Sequence, residues 1–187
     1  MKLLIINPGG TSTKIAVYED DKEIFKKTVI HSADDLGIFP HVFDEYEYRK
    51  NLIIESVEEA GFSLKDLGCV AGRGGLMRPI EGGTYAVNDK MIDDLRQAKY
   101  GEHASNLGAV LAKSIGDELG IPSFVVDPVS VDEMMDKARI AGIKELERPS
   151  WFHALNHKAV SRFVANKLGK KYEECNFIVP HLGSGIS

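Results

Sequence analysis

The chain has 187 residues, of which 43% are hydrophobic and 27% are charged, and its formal net charge is -5. This composition is typical of a soluble globular protein that needs neither disulfides nor a structural metal for stability. The acidic balance argues against nucleic acid as the main partner, and no stretch approaches the roughly 20 apolar residues of a membrane span. The apolar run at the N-terminus is too short for a signal peptide, so we expect a cytoplasmic protein.

The two cysteines, Cys69 and Cys175, lie beside apolar runs. No metal-binding or redox spacing surrounds them, which argues against a disulfide or a catalytic thiol. We therefore predict two buried free thiols, as is usual in a reducing compartment.

The N-terminal strand and turn are the most informative segment. The sequence predicts an apolar strand at residues 2–7, followed by a turn at residues 7–14 (NPGGTSTK). A second strand is predicted at residues 14–18. Glycines let the backbone approach a ligand closely, and hydroxyls and free N–H groups can bind anionic oxygens. This strand–loop–strand pattern differs from the strand-to-helix P-loop and suggests a phosphate-binding hairpin. An ordinary glycine-rich β-turn is the alternative interpretation.

Strands and helices alternate through the rest of the chain. A strand at about 23–30 precedes a helix at about 34–60, whose apolar residues recur at three- and four-residue spacings before Gly61. Pro40 lies inside this window, so the helix could begin there. The remaining expected elements are a short strand at 69–71, a glycine-rich loop at 72–79, helices at 88–99, 102–119, 131–140 and 157–168, and a buried strand at 122–126.

The last segment, residues 176–187 (NFIVPHLGSGIS), repeats the plan of the opening one: an apolar strand, a polar residue and a Gly/Ser turn. Internal duplication of this kind indicates a repeated structural unit. It predicts that a second phosphate-binding hairpin begins here. Chance similarity between two glycine-rich turns is the alternative.

Six segments of the chain, in this order, resemble the acetokinase family within the sugar kinase/actin/chaperone-ATPase superfamily, and most closely its butyrate kinases. They are residues 7–14, 72–83 (GRGGLMRPIEGG), 101–108 (GEHASNLG), 126–129 (VDPV), 152–157 (FHALNH) and 181–185 (HLGSG). The resemblance covers the N-terminal half of a family member. It implies an α/β fold: a ribonuclease H-like, actin-like ATPase lobe with a mixed sheet flanked by helices. That acyl- and phosphate-binding domain would occupy residues 1–174, and residues 175–187 would be the first strand and phosphate loop of a truncated second domain.

The resemblance also implies a reaction: reversible transfer of the γ-phosphoryl group of ATP, with Mg²⁺, to the carboxylate of butyrate. Another short or branched fatty acid (isobutyrate, propionate or acetate) is the alternative acceptor, and a third possibility is an inactive, incomplete lobe. We expect this 187-residue polypeptide alone to be inactive, because binding energy from an adenosine-binding half is needed. The implied partners are a short-chain fatty acid and ATP, without nucleic acid or membrane, in a homo-oligomer at full length.

Three residues in the matched segments have implied catalytic roles. Arg73 would hold the carboxylate in its planar charged fork and neutralise the incoming phosphoryl group. Asp127, after a buried strand, would orient Mg²⁺. His153 would hydrogen-bond the phosphoryl group during transfer. Without the resemblance, a surface arginine, an Asp-Pro turn and a structural histidine would be the ordinary interpretations.

The other implied site residues bind the two substrates. Gly74 and Gly75 replace bulky side chains of acetate kinases and would leave room for a longer acyl tail, with His103 nearby. Asn7 would touch phosphate or Mg²⁺. Ser184 departs from the family, where glycine or asparagine is usual. The residues expected to bind the nucleotide phosphates are Asn7, Gly10, Thr11, Ser12, Lys14, His181, Gly183, Ser184 and Gly185.

The remaining histidines and acidic pairs receive no role. His31 and His41 match no motif and are expected to face solvent. His153 and His157 have the spacing of a zinc helix but lack the accompanying glutamate. The acidic residues 132–136 and 93–94 are predicted to lie on solvated helix faces.

Overall fold

The computed structural model describes residues 1–182. They form two compact units. The first contains Met1–Arg78 and Gly83–Val126, and the second contains Pro79–Gly82 and residues 127–182.

The first unit is built on a six-stranded mixed sheet in the order β3-β2-β1-β4-β6-β5. Strands β1, β4 and β6 run parallel, whereas β2, β3 and β5 are antiparallel to their neighbours. Strand β5 has only three residues and was missed, because so short a run shows no periodicity. The strands are β1 (Lys2–Pro8), β2 (Ser12–Glu19), β3 (Lys22–Ile30), β4 (Leu67–Arg73), β5 (Thr84–Ala86) and β6 (Ser123–Val126).

The helices of the first unit are α1 (Ala33–Leu36), α2 (Tyr46–Glu59), α3 (Asp89–Arg96) and α4 (Asn106–Leu119). The prediction of one helix over 34–60 was wrong. Gly37 ends α1 with its N–H donating to the Ala33 carbonyl, and Pro40 both lacks an N–H and disfavours helical backbone at the preceding residue. A 3₁₀ helix, Val42–Glu45, then leads into α2. Helix α4 begins four residues later than predicted, after Gly101, whose φ of +120° is not helical.

The core of the first unit lies between the sheet and helices α2 and α4. Alternate residues of β1 and β2 point into it, as the period of a strand requires. Its fully enclosed apolar residues are Leu4, Ile6, Ile15, Val17, Ile53, Val57, Leu67, Val70, Leu107, Leu111, Ala112 and Ile115.

Strand β4 and helix α4 meet backbone to backbone at two glycines. A Cβ atom on Gly72 would overlap the carbonyl of Gly108, and one on Gly108 would overlap the carbonyl of Arg73. Only glycine permits so close an approach. The contact fixes the end of β4, which carries Arg73, against the first turn of α4.

The second unit contains helices α5 (Asp136–Arg139) and α6 (Ala154–Lys167), followed by a 3₁₀ helix at Tyr172–Glu174. The predicted helix over 131–140 was mostly wrong. Val131 forms a parallel bridge with Ile80, and the Asp132 N–H donates to the Ile80 carbonyl, so this backbone is not free to become helical. Helix α6 begins three residues earlier than predicted.

Residues 175–181 have neither helix nor strand, so the strand predicted within 176–179 is not formed there. The predicted loop residues Gly183, Ser184 and Gly185 lie outside the described residues.

Both cysteines are free, but only Cys69 is buried, while Cys175 is half-buried. Within residues 1–182 no helix has the length and apolar character needed to cross a bilayer.

Candidate active site

Two predicted site residues meet at the carboxyl edge of the parallel strands. In the register of β1 and β4, Ile6 pairs with Gly72, which brings Asn7 beside Arg73. The guanidinium Nη1 of Arg73 donates a long hydrogen bond, 3.5 Å, to Asn7 Oδ1. Ligands of open α/β sheets bind outside this edge, so both side chains have the position that a substrate site requires.

The positive charge of Arg73 has no counter-ion in the described part of the chain. Burial lowers the pKa of its guanidinium. Among residues 1–182 no carboxylate forms an ion pair with it. A partly buried cation that is left unpaired is costly, and an anionic ligand would relieve that cost.

His103 lies near this cation and is held in one tautomer. Its Nδ1 accepts the backbone N–H of Ser105 at 3.1 Å, and the Ser105 hydroxyl lies 2.8 Å from the same atom. Partial burial and the charge of Arg73 lower the pKa of His103. Because Nδ1 is an acceptor, the neutral ring carries its proton on Nε2 and can donate one hydrogen bond there.

The space beside Gly75 is already filled. A Cβ on Gly75 would lie against the backbone and side chain of Asn106. Asn106 in turn accepts the Leu76 N–H at 2.9 Å and donates to the Gly101 carbonyl at 2.9 Å. Gly75 is therefore required for close packing of the loop on α4, and the proposed room for an acyl tail is not found at this position.

The first hairpin has the tight turn that the sequence predicts. The Gly9 N–H donates to the Ser12 carbonyl at 2.7 Å, while Gly10 and Thr11 are exposed at the tip. Lys14 lies inside β2, directly across from Asn7, with an exposed side chain. The turn thus presents two exposed residues, and Lys14 is placed beside the strand edge rather than in the loop.

Beneath this turn lies Arg49, which sequence analysis missed. Its side chain is fully buried, and it donates to the carbonyls of Gly9 (2.9 Å) and Gly10 (3.0 Å). It also donates to Thr13 Oγ1 at 3.0 Å and pairs with Glu45 at 2.7 Å. The available signal was its spacing: Arg49 precedes two core residues of α2, Ile53 and Val57, at intervals of four, so it falls on the buried face of that helix.

His31 belongs to the same network, and the prediction that it faces solvent was wrong. It is buried, and its Nε2 lies 2.8 Å from Thr13 Oγ1. Burial, and secondly the charge of Arg49, lower its pKa to about 4. Its Nδ1 atom has no hydrogen-bond partner among the described residues. His41, by contrast, is exposed as predicted.

In the second unit, Asp127 is buried and has the unusual backbone φ of +38°. The ammonium of Lys158, on α6, lies 3.4 Å from Asp127 Oδ1 and 2.8 Å from Glu133 Oε1. Arg162 is farther away, at 4.0 Å. A Cβ on Gly82 would intrude on this group, so Gly82 makes room for the ion pair.

His153 occupies the N-cap position of α6 and lies in a cluster of imidazoles. Its ring stacks on that of His181 with centroids 3.8 Å apart and planes inclined by 7°. His181 Nδ1 lies 3.0 Å from Asn156 Oδ1, and His157 Nδ1 lies 2.8 Å from the His153 carbonyl. Two predicted phosphate-binding histidines are thus in contact. No group of three metal-binding side chains suited to hold an ion occurs within residues 1–182.

A cavity of about 470 Å³ in the first unit shares Asn106 with the loop after Arg73. It is bounded by the 3₁₀ helix before α2, the end of α3 and the start of α4, and none of its lining residues was predicted to bind substrate. The candidate site is therefore defined by its charged and polar side chains rather than by this cavity.

No protein-family profile matches the chain. It is 53% identical over 186 residues to a protein named probable butyrate kinase in Clostridium botulinum (strain Eklund 17B), covering 100% of this chain and 52% of that protein. It is 51% identical over 186 residues to butyrate kinase 1 of Clostridium acetobutylicum, with the same coverage. The chain thus spans about half the length of the curated relatives it matches.

Solved structures share the fold. The chain matches the acetate kinase of Porphyromonas gingivalis with a TM-score of 0.66 at 15% identity, over 99% of this chain and 53% of that one. The propionate kinase of Francisella tularensis gives a TM-score of 0.58 at 16% identity. This match covers 99% of this chain and 53% of the propionate kinase chain.

The fold is therefore that of the acetate and propionate kinases, which confirms the predicted α/β class with its mixed sheet. In sequence, the chain is a homologue of the butyrate kinases along its whole length. This confirms the resemblance that its six motifs indicated.

Proposed function

We propose that the chain provides the acyl- and phosphate-binding part of a carboxylate kinase that transfers the γ-phosphoryl group of ATP reversibly to butyrate. The observation that carries the proposal is the partly buried, unpaired guanidinium of Arg73 at the carboxyl edge of the sheet. A carboxylate matches its fork geometry and supplies the missing counter-charge. Butyrate is the acceptor in the names of the relatives that are 51% and 53% identical.

His103 and the glycine loop complete the proposed carboxylate site. The Nε2–H of neutral His103 is available as a second donor to the substrate carboxylate. Gly74 is buried in the loop after Arg73, and we propose that the acyl tail passes on its side, since Asn106 fills the space beside Gly75. Each additional buried CH₂ would then favour butyrate over acetate by about 0.8 kcal/mol.

The first hairpin is proposed to bind phosphate oxygens through Gly10, Thr11 and Ser12, with Lys14 adding positive charge. In the second unit, Asp127 is proposed as a Mg²⁺ ligand through its carboxylate, and Mg²⁺ would neutralise charge on the transferred phosphoryl group. In the first unit, Asn7 is proposed to contact phosphate or Mg²⁺ through its amide oxygen. His153, stacked on His181, is proposed to donate a hydrogen bond to that phosphoryl group. The assignment of residues 175–187 to the start of a second lobe also remains a proposal.

Hydroxamate trapping of the acyl phosphate tests this function on the complete gene product. We expect turnover to be highest with butyrate or isobutyrate and lower with propionate and acetate. Arg73→Met should reduce kcat/KM for the carboxylate by about 10²–10³-fold, since it removes the counter-charge. Arg73→Lys should recover only part of the loss, because an ammonium cannot bind bidentately.

Two results would contradict the proposal. Equal or better turnover of acetate would contradict the butyrate preference, and activity that survives Arg73→Met would contradict the carboxylate site. The 187-residue polypeptide is assayed separately and is expected to be inactive.

A further inference from the structure

The most completely bonded side chain beneath the first hairpin is Arg49, which none of the six motifs includes. It reaches from α2 to the turn, and its guanidinium contacts two consecutive carbonyls, those of Gly9 and Gly10. Its remaining donors go to Glu45 and Thr13 Oγ1. A fully buried guanidinium is costly unless its donors are satisfied, and the two loop carbonyls accept two of its hydrogen bonds.

The direction of these carbonyls determines the direction of the neighbouring amides. The described chain has no cis peptide bonds. In a trans peptide group, the C=O and N–H bonds point to opposite sides. The Gly9 carbonyl shares its peptide group with the Gly10 N–H, and the Gly10 carbonyl shares its group with the Thr11 N–H. Since both carbonyls point inward to Arg49, both amide protons point outward at the exposed tip.

Two consecutive outward N–H groups form the kind of concave donor pair that binds phosphate oxygens. Arg49 itself is buried and paired with Glu45, so its own charge is largely compensated. It therefore acts on the ligand through the geometry of the turn. Thr13, which contacts both Arg49 and His31, accepts a hydrogen bond from Nη1, the nitrogen that also donates to the Gly9 carbonyl.

We propose that Arg49 is the positioning residue of the first phosphate loop: it binds the Gly9 and Gly10 carbonyls so that the Gly10 and Thr11 amides face the nucleotide phosphates. This rests on the proposed function, in which the loop binds ATP. Arg49 touches no substrate, so its loss should weaken nucleotide binding while leaving the carboxylate site intact.

The test compares Arg49→Met and Arg49→Lys with Lys50→Met. Lys50 is the next residue of α2 and is paired with Glu118, so its variant removes a partly buried ion pair from the same helix without touching the loop. Circular dichroism first checks folding. The two readouts are the KM values for MgATP and butyrate, and the amide NMR shifts of Gly10 and Thr11 during a MgATP titration.

We expect Arg49→Met to raise the KM for MgATP at least about tenfold, with less than a twofold change in the KM for butyrate. The Gly10 and Thr11 amides should respond to MgATP in the unmodified protein and in Lys50→Met, but not in Arg49→Met. If Arg49→Met does not fold, Arg49→Lys decides. It keeps the charge but loses the flat fork that spans both carbonyls, so the same selective rise in the KM for MgATP is expected.

Two failures are distinguishable. If the Gly10 and Thr11 amides of the unmodified protein do not respond to MgATP, the phosphate-binding role of the loop is wrong. If they respond equally in the folded Arg49 variants, with the KM for MgATP matching that of Lys50→Met, then the loop binds phosphate and the positioning role of Arg49 is wrong.

Discussion

The ammonium of Lys158 lies 3.4 Å from the carboxylate of Asp127, the residue proposed to orient Mg²⁺. Burial opposes the charge on Lys158, but the hydrogen bond that Lys158 donates to Glu133 and the charge of Asp127 outweigh it, and the pKa of Lys158 is raised. Asp127 is itself buried and has a positive φ, so its carboxylate direction is set by both backbone and ion pair. No sequence motif indicated Lys158 as the partner.

Lys158→Met should therefore destabilise the second unit by about 2–3 kcal/mol, because it leaves a buried carboxylate without its close cation. Urea denaturation followed by circular dichroism measures this. Lys170→Met, an exposed position near the end of α6, serves as control and should change stability by less than about 0.5 kcal/mol. Equal midpoints for the two variants would contradict the structural role of the ion pair.

Gly108→Ala should destabilise the first unit by more than about 3 kcal/mol, because the new methyl group overlaps the carbonyl of Arg73 and neither β4 nor α4 can move without disrupting the core. Thermal unfolding provides the measurement. Gly10→Ala, where a Cβ meets no atom within 4 Å, should leave the melting temperature nearly unchanged. If Gly108→Ala lowers the melting temperature only slightly, then β4 and α4 can move apart to accept the new methyl group.

The stability of the first unit should fall in mild acid because of His31. Its pKa is about 4 in the folded protein, against 6.5 for an exposed histidine. As the pH falls below 6.5, the unfolded chain binds a proton before the folded protein does. Stability is thus complete above pH 6.5 and is lost towards pH 4, by up to about 3 kcal/mol.

His31→Gln keeps a side-chain amide that can bond Thr13 but does not titrate. Denaturation curves from pH 7 to pH 4 should therefore be flatter for His31→Gln than for the unmodified protein. If the free energy of unfolding falls equally for both proteins between pH 7 and pH 4, His31 is not the source of the acid sensitivity.

Asn106→Leu should raise the KM for the carboxylate about tenfold, because it removes the two hydrogen bonds that hold the loop after Arg73 to α4. The KM for MgATP should not change. Asn106→Asp retains the acceptor for the Leu76 N–H and loses only the donor to Gly101, so an intermediate effect is expected. Steady-state kinetics measure both KM values for the two variants and for the unmodified protein, in each case as the complete gene product. A similar rise in both KM values would indicate a general loss of structure.

Local patterns predicted strands β1 to β4 and β6, because runs of strand-forming residues between turn residues need no tertiary information. Local patterns gave wrong secondary structure or burial where contacts between distant parts of the chain determine them. Residues 131–132 are kept from helix by their bridge to Ile80, which no local pattern shows. The buried positions of Arg49 and His31 depend on the fit of α2 against the first turn, whereas the role predicted for Arg73 rests on a motif that is local in the sequence.

Under the proposed function, the contact between Gly72 and Gly108 limits how acyl preference can be engineered. At this crossing the main chains of β4 and α4 are already in contact, so smaller side chains nearby cannot bring the strand that carries Arg73 closer to α4. A design aimed at longer or shorter fatty acids should keep Gly72 and Gly108 unchanged and randomise the surrounding loop residues, such as Leu76.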